Sequence, residues 1–188
     1  MPSKAKITKE MVLDAAFAIA RESGGDAINA RAVAERLGCS TQPVMYHFAT
    51  MESLRQAVYQ KADAFHSAYL MNLSGADPMK EIGMNYIRFA FEEKPLFRLL
   101  FQSDGLPGSS ISALMEEEAL LPVLTVLMEE AGLDLQQAKT VFRSLFLMAH
   151  GYASLFACNA LDYDPDVVSA DLEPIFQGSI SALKGGLS

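Results

Sequence analysis

The segment RLGCSTQPVMYHF, residues 36–48, gathers uncharged hydrogen-bonding side chains and two adjacent rings within an otherwise apolar and acidic chain. The amide of Gln42 can pair bidentately with adenine, and the hydroxyl and methyl groups of Thr41 can contact base edges. The phenol of Tyr46 suits a phosphate oxygen. These residue types predict contacts with double-stranded DNA, provided that a helix presents them on one exposed side.

Three short helices are predicted to hold this segment in place. Apolar residues recur at helical spacing over about 9–23, 30–37 and 41–48, and a capping residue precedes each stretch. Gly38 lies in the turn before the third helix, and Pro43 falls in that helix's first turn, where its missing N–H is not needed. This plan is typical of the helix-turn-helix, whose second helix enters the major groove. The pattern alone leaves open a surface helix whose rings pack on a neighbouring element.

The rest of the chain also has helical periodicity, so the predicted fold class is all-α. Further helices are expected over about 51–70, 78–93, 95–101, 110–131 with a break at Pro122, 135–159, and from DYDPD to about Leu183, which makes about nine in total. Residues 1–50 form the predicted helix-turn-helix domain, and residues 51–188 form a helical ligand-binding and dimerisation domain. The helix over about 51–70 connects them.

Charge is distributed unevenly along the chain. Residues 1–61 carry eight Lys and Arg against six Asp and Glu, whereas the remainder carries seven against seventeen, for a formal net charge of −8. A mildly basic N-terminal part and a strongly acidic remainder are expected when only one end of a protein meets an anionic partner.

The sequence lacks the features of a membrane protein, a metalloprotein or an enzyme. It has no signal-peptide core and no 18 uninterrupted apolar residues, so a cytoplasmic protein without a membrane partner is expected. Cys39 and Cys158 have neither CxxC nor metal-ligand spacing and are interpreted as small buried hydrophobes. His47, His66 and His150 fall in separate helices, so no metal site and no cofactor are predicted. No catalytic motif occurs, and enzymatic activity is not expected.

The stretches ITKEMVLDAAFAIARESG, AINARAVAERLGCS and TQPVMYHFATMESLRQAV resemble the DNA-binding domain of the tetracycline-repressor (TetR) family. Residues 44–48, Glu52 and Leu54 occupy the places of the family's Leu-Tyr-x-His-Phe and Lys-Glu-x-Leu patterns. Two positions depart from the pattern, because Met45 replaces a tyrosine that usually grips a phosphate and Met51 replaces a lysine. Fewer phosphate contacts imply a shallower salt dependence of DNA binding.

The resemblance and the helical period together assign the DNA contacts. Val44 and Phe48, four residues apart, are predicted to face the core, and the polar side chains of the third helix face outward. The residues predicted to read bases are Thr41, Gln42, Pro43, Tyr46 and His47. Those predicted to contact phosphates are Ser40, Arg31 and the arm residues Lys4, Lys6 and Lys9. The same three lysines and Tyr46 are the candidate substitutes for the two lost anchors.

The C-terminal stretches YIRFAFEEKPLFRLLF and FRSLFLMAHGYASLF resemble one subclass of TetR regulatory domains, which implies that the last two helices pair with those of a second subunit. Small residues at i, i+4 and i+8 allow two helices to pack closely. The final helix is apolar, so another surface must shield it from water, and a partner subunit can supply that surface. The predicted dimer interface contains Ala149, Ala153 and Ala157 on one helix and Leu172, Phe176, Ser179, Ile180 and Leu183 on the other. The alternative is that these residues of both helices pack inside the chain's own core.

The resemblance also implies an effector cavity between the fourth helix and the helix over 135–159. The candidate lining residues are Phe65, Tyr69, Tyr86, Phe89, Met115, Phe146 and His150, each of which also has an ordinary interpretation as core. Aromatic and methionine side chains favour a small, mostly apolar molecule. The run Glu116–Glu118 is interpreted as a solvated helix face, with a cationic ligand as the alternative.

The predicted function is that of a ligand-responsive transcriptional regulator. A homodimer would repress by binding a pseudo-palindromic operator in double-stranded DNA, and a small-molecule effector would release it. One alternative is a helical small-molecule carrier or enzyme with a non-functional helix-turn-helix. Another is an adaptor that binds a second regulator through the same face.

Overall fold

The computed structural model describes residues 6–103 and 110–185, and within these ranges it contains helices but no strand. The α-helices are α1 (Lys9–Ser23), α2 (Ala30–Arg36), α3 (Thr41–His47), α4 (Met51–Leu70), α5 (Pro78–Glu92), α6 (Lys94–Phe101), α7 (Ile111–Leu114), α8 (Leu121–Ala131), α9 (Leu135–Cys158) and α10 (Pro165–Gly185). The all-α prediction is confirmed. The predicted helix over 110–131 divides into α7, a 3-10 turn and α8, because Pro122 lies in the first turn of α8 and disfavours helix before it.

The chain forms two compact units. Unit 1 contains Met1–His66 and Glu93–Gly105, and unit 2 contains Ser67–Glu92 and Leu106–Ser188. This grouping differs from the predicted boundary at residue 50, because side chains of α4 bind the N-terminal helices. Lys61 forms an ion pair with Asp14 of α1, and Arg55 donates to the carbonyl of Ile28 at 3.3 Å.

The turn between α2 and α3 is set by Gly38. Its φ of +62° lies in the left-handed region that glycine adopts without strain. The Gly38 amide donates to the Glu35 carbonyl at 3.0 Å, and the Cys39 amide donates to the Ala34 carbonyl at 3.0 Å. These are the two hydrogen bonds of a Schellman motif, which ends α2 and sets the direction in which α3 begins.

The start of α6 is tied to α1 within unit 1. Glu93 precedes α6 and is only 8% exposed. Its carboxylate accepts a bifurcated hydrogen bond from the Nε of Arg21, at 3.0 and 2.7 Å, and another hydrogen bond from Nη2. The Arg21 guanidinium also lies over the ring of Phe65, 5.1 Å from its centroid. A buried carboxylate that is paired in this way avoids the penalty of an isolated buried charge.

The central helix of unit 2 is α9, which packs against α5, α8 and α10. Asp134 caps it through the Gln137 amide at 2.8 Å, and the Gln137 side chain accepts from the Asp134 amide at 3.0 Å, which completes a capping box. By length and composition, α9 is the one helix in the described ranges that could cross a membrane. A buried core helix can have the same length and composition, and α9 packs against three other helices as a core helix does.

Candidate nucleic-acid interface and effector cleft

One side of α3 is buried in unit 1 and the other side is exposed. Val44 is fully buried and Phe48 is 5% exposed, whereas Tyr46 is 81% exposed. Thr41 and Gln42 are exposed at the start of the helix. Residues four apart share one helix face, so burial of Val44 and Phe48 leaves the polar side chains of α3 toward solvent. The amide of Gln42, the hydroxyl and methyl groups of Thr41 and the hydroxyl of Tyr46 are therefore available to an external partner.

His47 is less exposed than Tyr46. It is half-buried, and its Nε2 lies 2.9 Å from the backbone carbonyl oxygen of Ile7. This edge of its ring is therefore bonded to the segment that precedes α1, and the base-reading role of His47 stays a prediction. Sequence periodicity within α3 could not reveal a partner 40 residues away.

An open depression of about 560 Å³, counting the space at its mouth, lies between the segment before α1 and the exposed face of α3. It is lined by Lys6, Ile7, Gln42, Pro43, Tyr46 and His47. The structure thus brings Lys6 close to the predicted base-reading residues. Lys4 lies outside the described residues.

Several cations of unit 1 are engaged within the unit itself. Arg36 donates to Glu22, with Nη1 2.7 Å from Oε2, and this hydrogen bond lowers the pKa of that carboxyl. Lys9 lies over the ring of Phe48, 5.2 Å from its centroid.

The predicted phosphate-contacting residues Arg31 and Ser40 are exposed, near the starts of α2 and α3.

The predicted effector residues fall into separate groups. In unit 2 the hydroxyl of Tyr86 lies 2.9 Å from Nδ1 of His150, and Phe146 packs against both rings, at 6.0 and 5.4 Å between centroids. Burial raises the pKa of Tyr86 and lowers the pKa of His150. The phenol therefore donates to a neutral imidazole, which is a satisfied polar contact within the core.

A second group in unit 2 surrounds Tyr69. Its ring meets Phe89 at 5.3 Å, its hydroxyl donates to Glu92 at 2.6 Å, and Arg88 donates to the same hydroxyl at 3.0 Å. Burial, with the hydrogen bond to Glu92, raises the pKa of Tyr69 to about 12. Of the remaining candidates, Met115 is buried in unit 2, and Phe65 packs on Phe17 in unit 1 at 5.8 Å.

A cleft in unit 2 lies among α5, α9 and α10 and has a volume of about 380 Å³, counting the space at its mouth. It is lined by Met79, Lys80, Gly83, Leu145, Ala149, Leu172, Glu173 and Phe176. None of the predicted effector residues is among them. The sequence signal that could have found it is Gly83, since a glycine inside a helix leaves space against its neighbours. A Cβ at this position would lie 3.4 Å from Cδ1 of Leu172.

Four residues of the predicted dimer interface are buried inside the protomer. Ala153 and Ala157 are at most 1% exposed, and Ala149 and Leu172 are 6% and 7% exposed. Because α9 packs against α5 and α10 of its own chain, these residues leave little surface for a partner subunit, and their place in an interface stays a prediction. The other four residues, Phe176, Ser179, Ile180 and Leu183, are half-buried on α10.

The opposite side of α9 is apolar and exposed. Leu147 is 49% exposed, Leu155 is 53% exposed, and Gly151 lies between them on the same face. On α10, Val167 is 54% exposed and Gly178 is also exposed. A single exposed leucine is normal on a protein surface, whereas apolar residues exposed along two adjacent helices need a separate explanation.

Comparison with known proteins assigns the chain to a family. Residues 79–183 match the model described as "Tetracyclin repressor-like, C-terminal domain". The chain belongs to the TetR family. Members of this family are transcription regulators that bind operator DNA, dimerise and bind small-molecule ligands, and the helix-turn-helix of unit 1 is their DNA-binding motif.

Solved structures support the TetR fold. A TetR variant from Acinetobacter baumannii in complex with minocycline is 17% identical, with a TM-score of 0.60 over 97% of this chain and 99% of that one. The TetR family repressor AlkX from Dietzia sp., implicated in biodegradation of n-alkanes, is 18% identical, with a TM-score of 0.50 over 94% and 97% of the two chains. No curated protein sequence matches significantly.

Two positions depart from the TetR DNA-binding pattern. Met45, in the place of the usual tyrosine, is 40% exposed on α3, and Met51, in the place of the usual lysine, is half-buried at the start of α4. Neither thioether can donate a hydrogen bond to a phosphate. Tyr46 is the exposed phenol adjacent to the first of these positions.

Proposed function

We propose that this TetR-family protein is a transcriptional repressor that binds a pseudo-palindromic operator as a homodimer and is released by a small, mostly apolar effector. The observation that carries the proposal is the orientation of α3. Val44 and Phe48 fix its rear in the core while Thr41, Gln42 and Tyr46 are exposed. A helix held in this way can enter a major groove with its N-terminal residues against base edges.

The exposed side chains differ in what they can recognise. The Gln42 amide suits adenine, and Thr41 and Pro43 offer a hydroxyl and apolar carbons to neighbouring base edges. Tyr46 and Ser40 offer hydroxyls to phosphates, and the charges of Arg31 and Lys6 add sequence-independent attraction; Lys4 belongs to the same set. Base contacts specify the sequence, and phosphate contacts fix the position of the protein on it.

The proposed subunit interface uses the exposed side of α9 and the adjacent surface of α10. Leu147 and Leu155 would be covered, and Gly151 and Gly178 lack side chains that would keep two helices apart. The half-buried residues of α10 would contribute at the edge of the interface. If the operator half-sites are one turn of B-DNA apart, a two-fold dimer must hold its two copies of α3 roughly 34–36 Å apart.

The proposed effector site is the cleft among α5, α9 and α10. Its walls are mostly aliphatic and aromatic, and the ion pair of Lys80 and Glu173, 3.7 Å apart, supplies polar groups. The enclosed part of the cleft is only about 40 Å³, so an effector would have to widen it, and the apolar walls favour a small ligand with an apolar body. Such a ligand lowers operator affinity only as far as it prefers a conformation that binds DNA poorly.

The test is DNA binding by the wild-type protein and two variants. DNA from the protein's own upstream region is compared with random DNA at two salt concentrations. Gln42→Ala is expected to lose roughly 1–3 kcal/mol of preference for the operator, whereas Lys6→Ala weakens binding to both DNAs alike. If Gln42→Ala loses the same affinity for both DNAs, Gln42 does not read bases. Failure of the wild-type protein to retain DNA would favour the carrier or adaptor hypothesis.

A further inference from the structure

The hydrogen bond between His47 and Ile7 joins the last residue of α3 to the segment before α1. The bond is 2.9 Å long, and both residues are only partly exposed. Thr8, the next residue, caps α1 by accepting from the Met11 amide at 3.2 Å. The chain is therefore fixed at two successive points, one on α3 and one on α1.

The direction of the His47 bond follows from its partner. A backbone carbonyl only accepts hydrogen bonds, so Nε2 must carry the proton and donate. The neutral Nε2–H tautomer and the imidazolium both satisfy this requirement. The bond is therefore retained whichever of these two forms is present, and this ring edge is not available to a phosphate.

We propose that His47 is a positioning residue of the operator-binding surface: its imidazole holds the Ile7 carbonyl and so keeps Lys6 beside the exposed face of α3. The inference rests on the proposed function of operator binding. Lys6 and Ile7 line the same depression as Gln42 and Tyr46, so an anchor at Ile7 fixes where the ammonium of Lys6 can meet a DNA backbone. Ordering this segment before binding lowers the entropy lost when DNA binds.

The first experiment measures the anchor without DNA. Limited trypsin digestion of the full-length protein is followed by mass spectrometry, which gives the rate of cleavage between Lys6 and Ile7. We expect His47→Ala to raise this rate about three- to tenfold, as the loss of one hydrogen bond implies. His47→Gln should cleave near the wild-type rate, since its amide nitrogen can replace Nε2 as a donor. Met45→Ala, an exposed residue of the same helix that does not line the depression, is the matched control.

The second experiment is a double-mutant cycle on operator DNA. His47→Ala is expected to weaken binding about three- to tenfold, and His47→Gln to restore most of the affinity. The effect of Lys6→Ala should shrink in the His47→Ala background, because the cation is no longer held in place. Arg31→Ala, a cation at the start of α2, should weaken binding by the same factor in both backgrounds.

The outcomes separate the inference from the function on which it rests. If the effects of Lys6→Ala and His47→Ala multiply independently, or if His47→Gln behaves like His47→Ala, His47 does not position Lys6. If the wild-type protein shows no preference for operator over random DNA, the proposed function and the DNA role of His47 both fail. The cleavage rates would then still decide whether His47 anchors Ile7, and unchanged cleavage in His47→Ala would exclude the anchor itself.

Discussion

Gly38 offers a direct test of how the turn before α3 is stabilised. The φ of this residue is +62°, and a Cβ added there would have no atom within 4 Å. The substitution Gly38→Ala therefore introduces backbone strain without a steric clash. Because alanine can still adopt the left-handed conformation, α3 should keep its direction, and operator affinity should change by less than about twofold.

The magnitude follows from two opposing effects. A left-handed conformation costs a non-glycine residue about 1–2 kcal/mol, and replacing glycine by alanine recovers roughly 0.4–1 kcal/mol by restricting the unfolded chain. The free energy of unfolding should fall by about 1 kcal/mol. For a protein of this size that corresponds to a decrease in the thermal midpoint of roughly 2–4 °C, if the two units unfold together.

A graded series checks the reasoning. Gly38→Asn should lose less stability than Gly38→Ala, since asparagine tolerates the left-handed region better. Gly24→Ala should lose more, because φ of 88° and ψ of 167° lie in a region that is nearly restricted to glycine. Urea denaturation followed by circular dichroism measures all three. Wild-type stability for Gly38→Ala, or a smaller loss for Gly24→Ala than for Gly38→Ala, would refute the argument.

Two further predictions concern pH and assembly. Burial lowers the pKa of His66 from 6.5 to about 4, so the unfolded state binds more protons between these values, and stability should fall by up to roughly 3 kcal/mol as the pH drops from 6.5 to 4. Urea midpoints at pH 7, 5.5 and 4.5 should show a shallower decline for His66→Gln, and an unchanged decline would contradict this assignment. The double substitution Leu147→Glu with Leu155→Glu should convert a dimer into a monomer in light scattering, whereas Glu129→Gln, an exposed position on α8, should leave the dimer intact.

The fold class could be predicted from local sequence signals because those signals act over a few residues. Asn29 caps α2 by accepting from the Arg31 and Ala32 amides at 3.1 and 3.0 Å, and Gly38 ends the same helix. Both effects are set by the residue type and its immediate neighbours. The exposed and buried sides of α3 follow from the spacing of Val44 and Phe48 for the same reason.

Contacts between distant residues could not be predicted in this way. The partner of His47 is a backbone carbonyl, and every residue offers one, so no residue type marks it. The alanines at 149, 153 and 157 show a related limit. Periodicity identifies residues that share a face of α9, but this helix is apolar nearly all round, so its sequence does not tell which face meets its own chain.

The cleft proposed as the effector site illustrates a third limit, since it lies beside a residue that lacks a side chain. The sequence pattern favoured aromatic residues as ligand contacts, yet Tyr86 and His150 are hydrogen-bonded to each other at 2.9 Å. The cleft lies instead beside Gly83. Large side chains stand out in a sequence as possible ligand contacts, whereas the space for a ligand depends on how several helices pack together.

The charge pattern affects how the proposed operator affinity divides between phosphate contacts and base contacts. Arg21, Arg36 and Lys61 of unit 1 are engaged in ion pairs within the protein, and Met45 and Met51 lack the groups with which related proteins grip phosphates. Since phosphate contacts supply nearly all non-specific affinity, binding to random DNA should be weak, all the more so for a chain of net charge −8. Base contacts through Thr41 and Gln42 would then supply a larger share of the operator affinity. Positioning Lys6 correctly matters more in such a protein, because each of its few phosphate contacts contributes a larger fraction of the total.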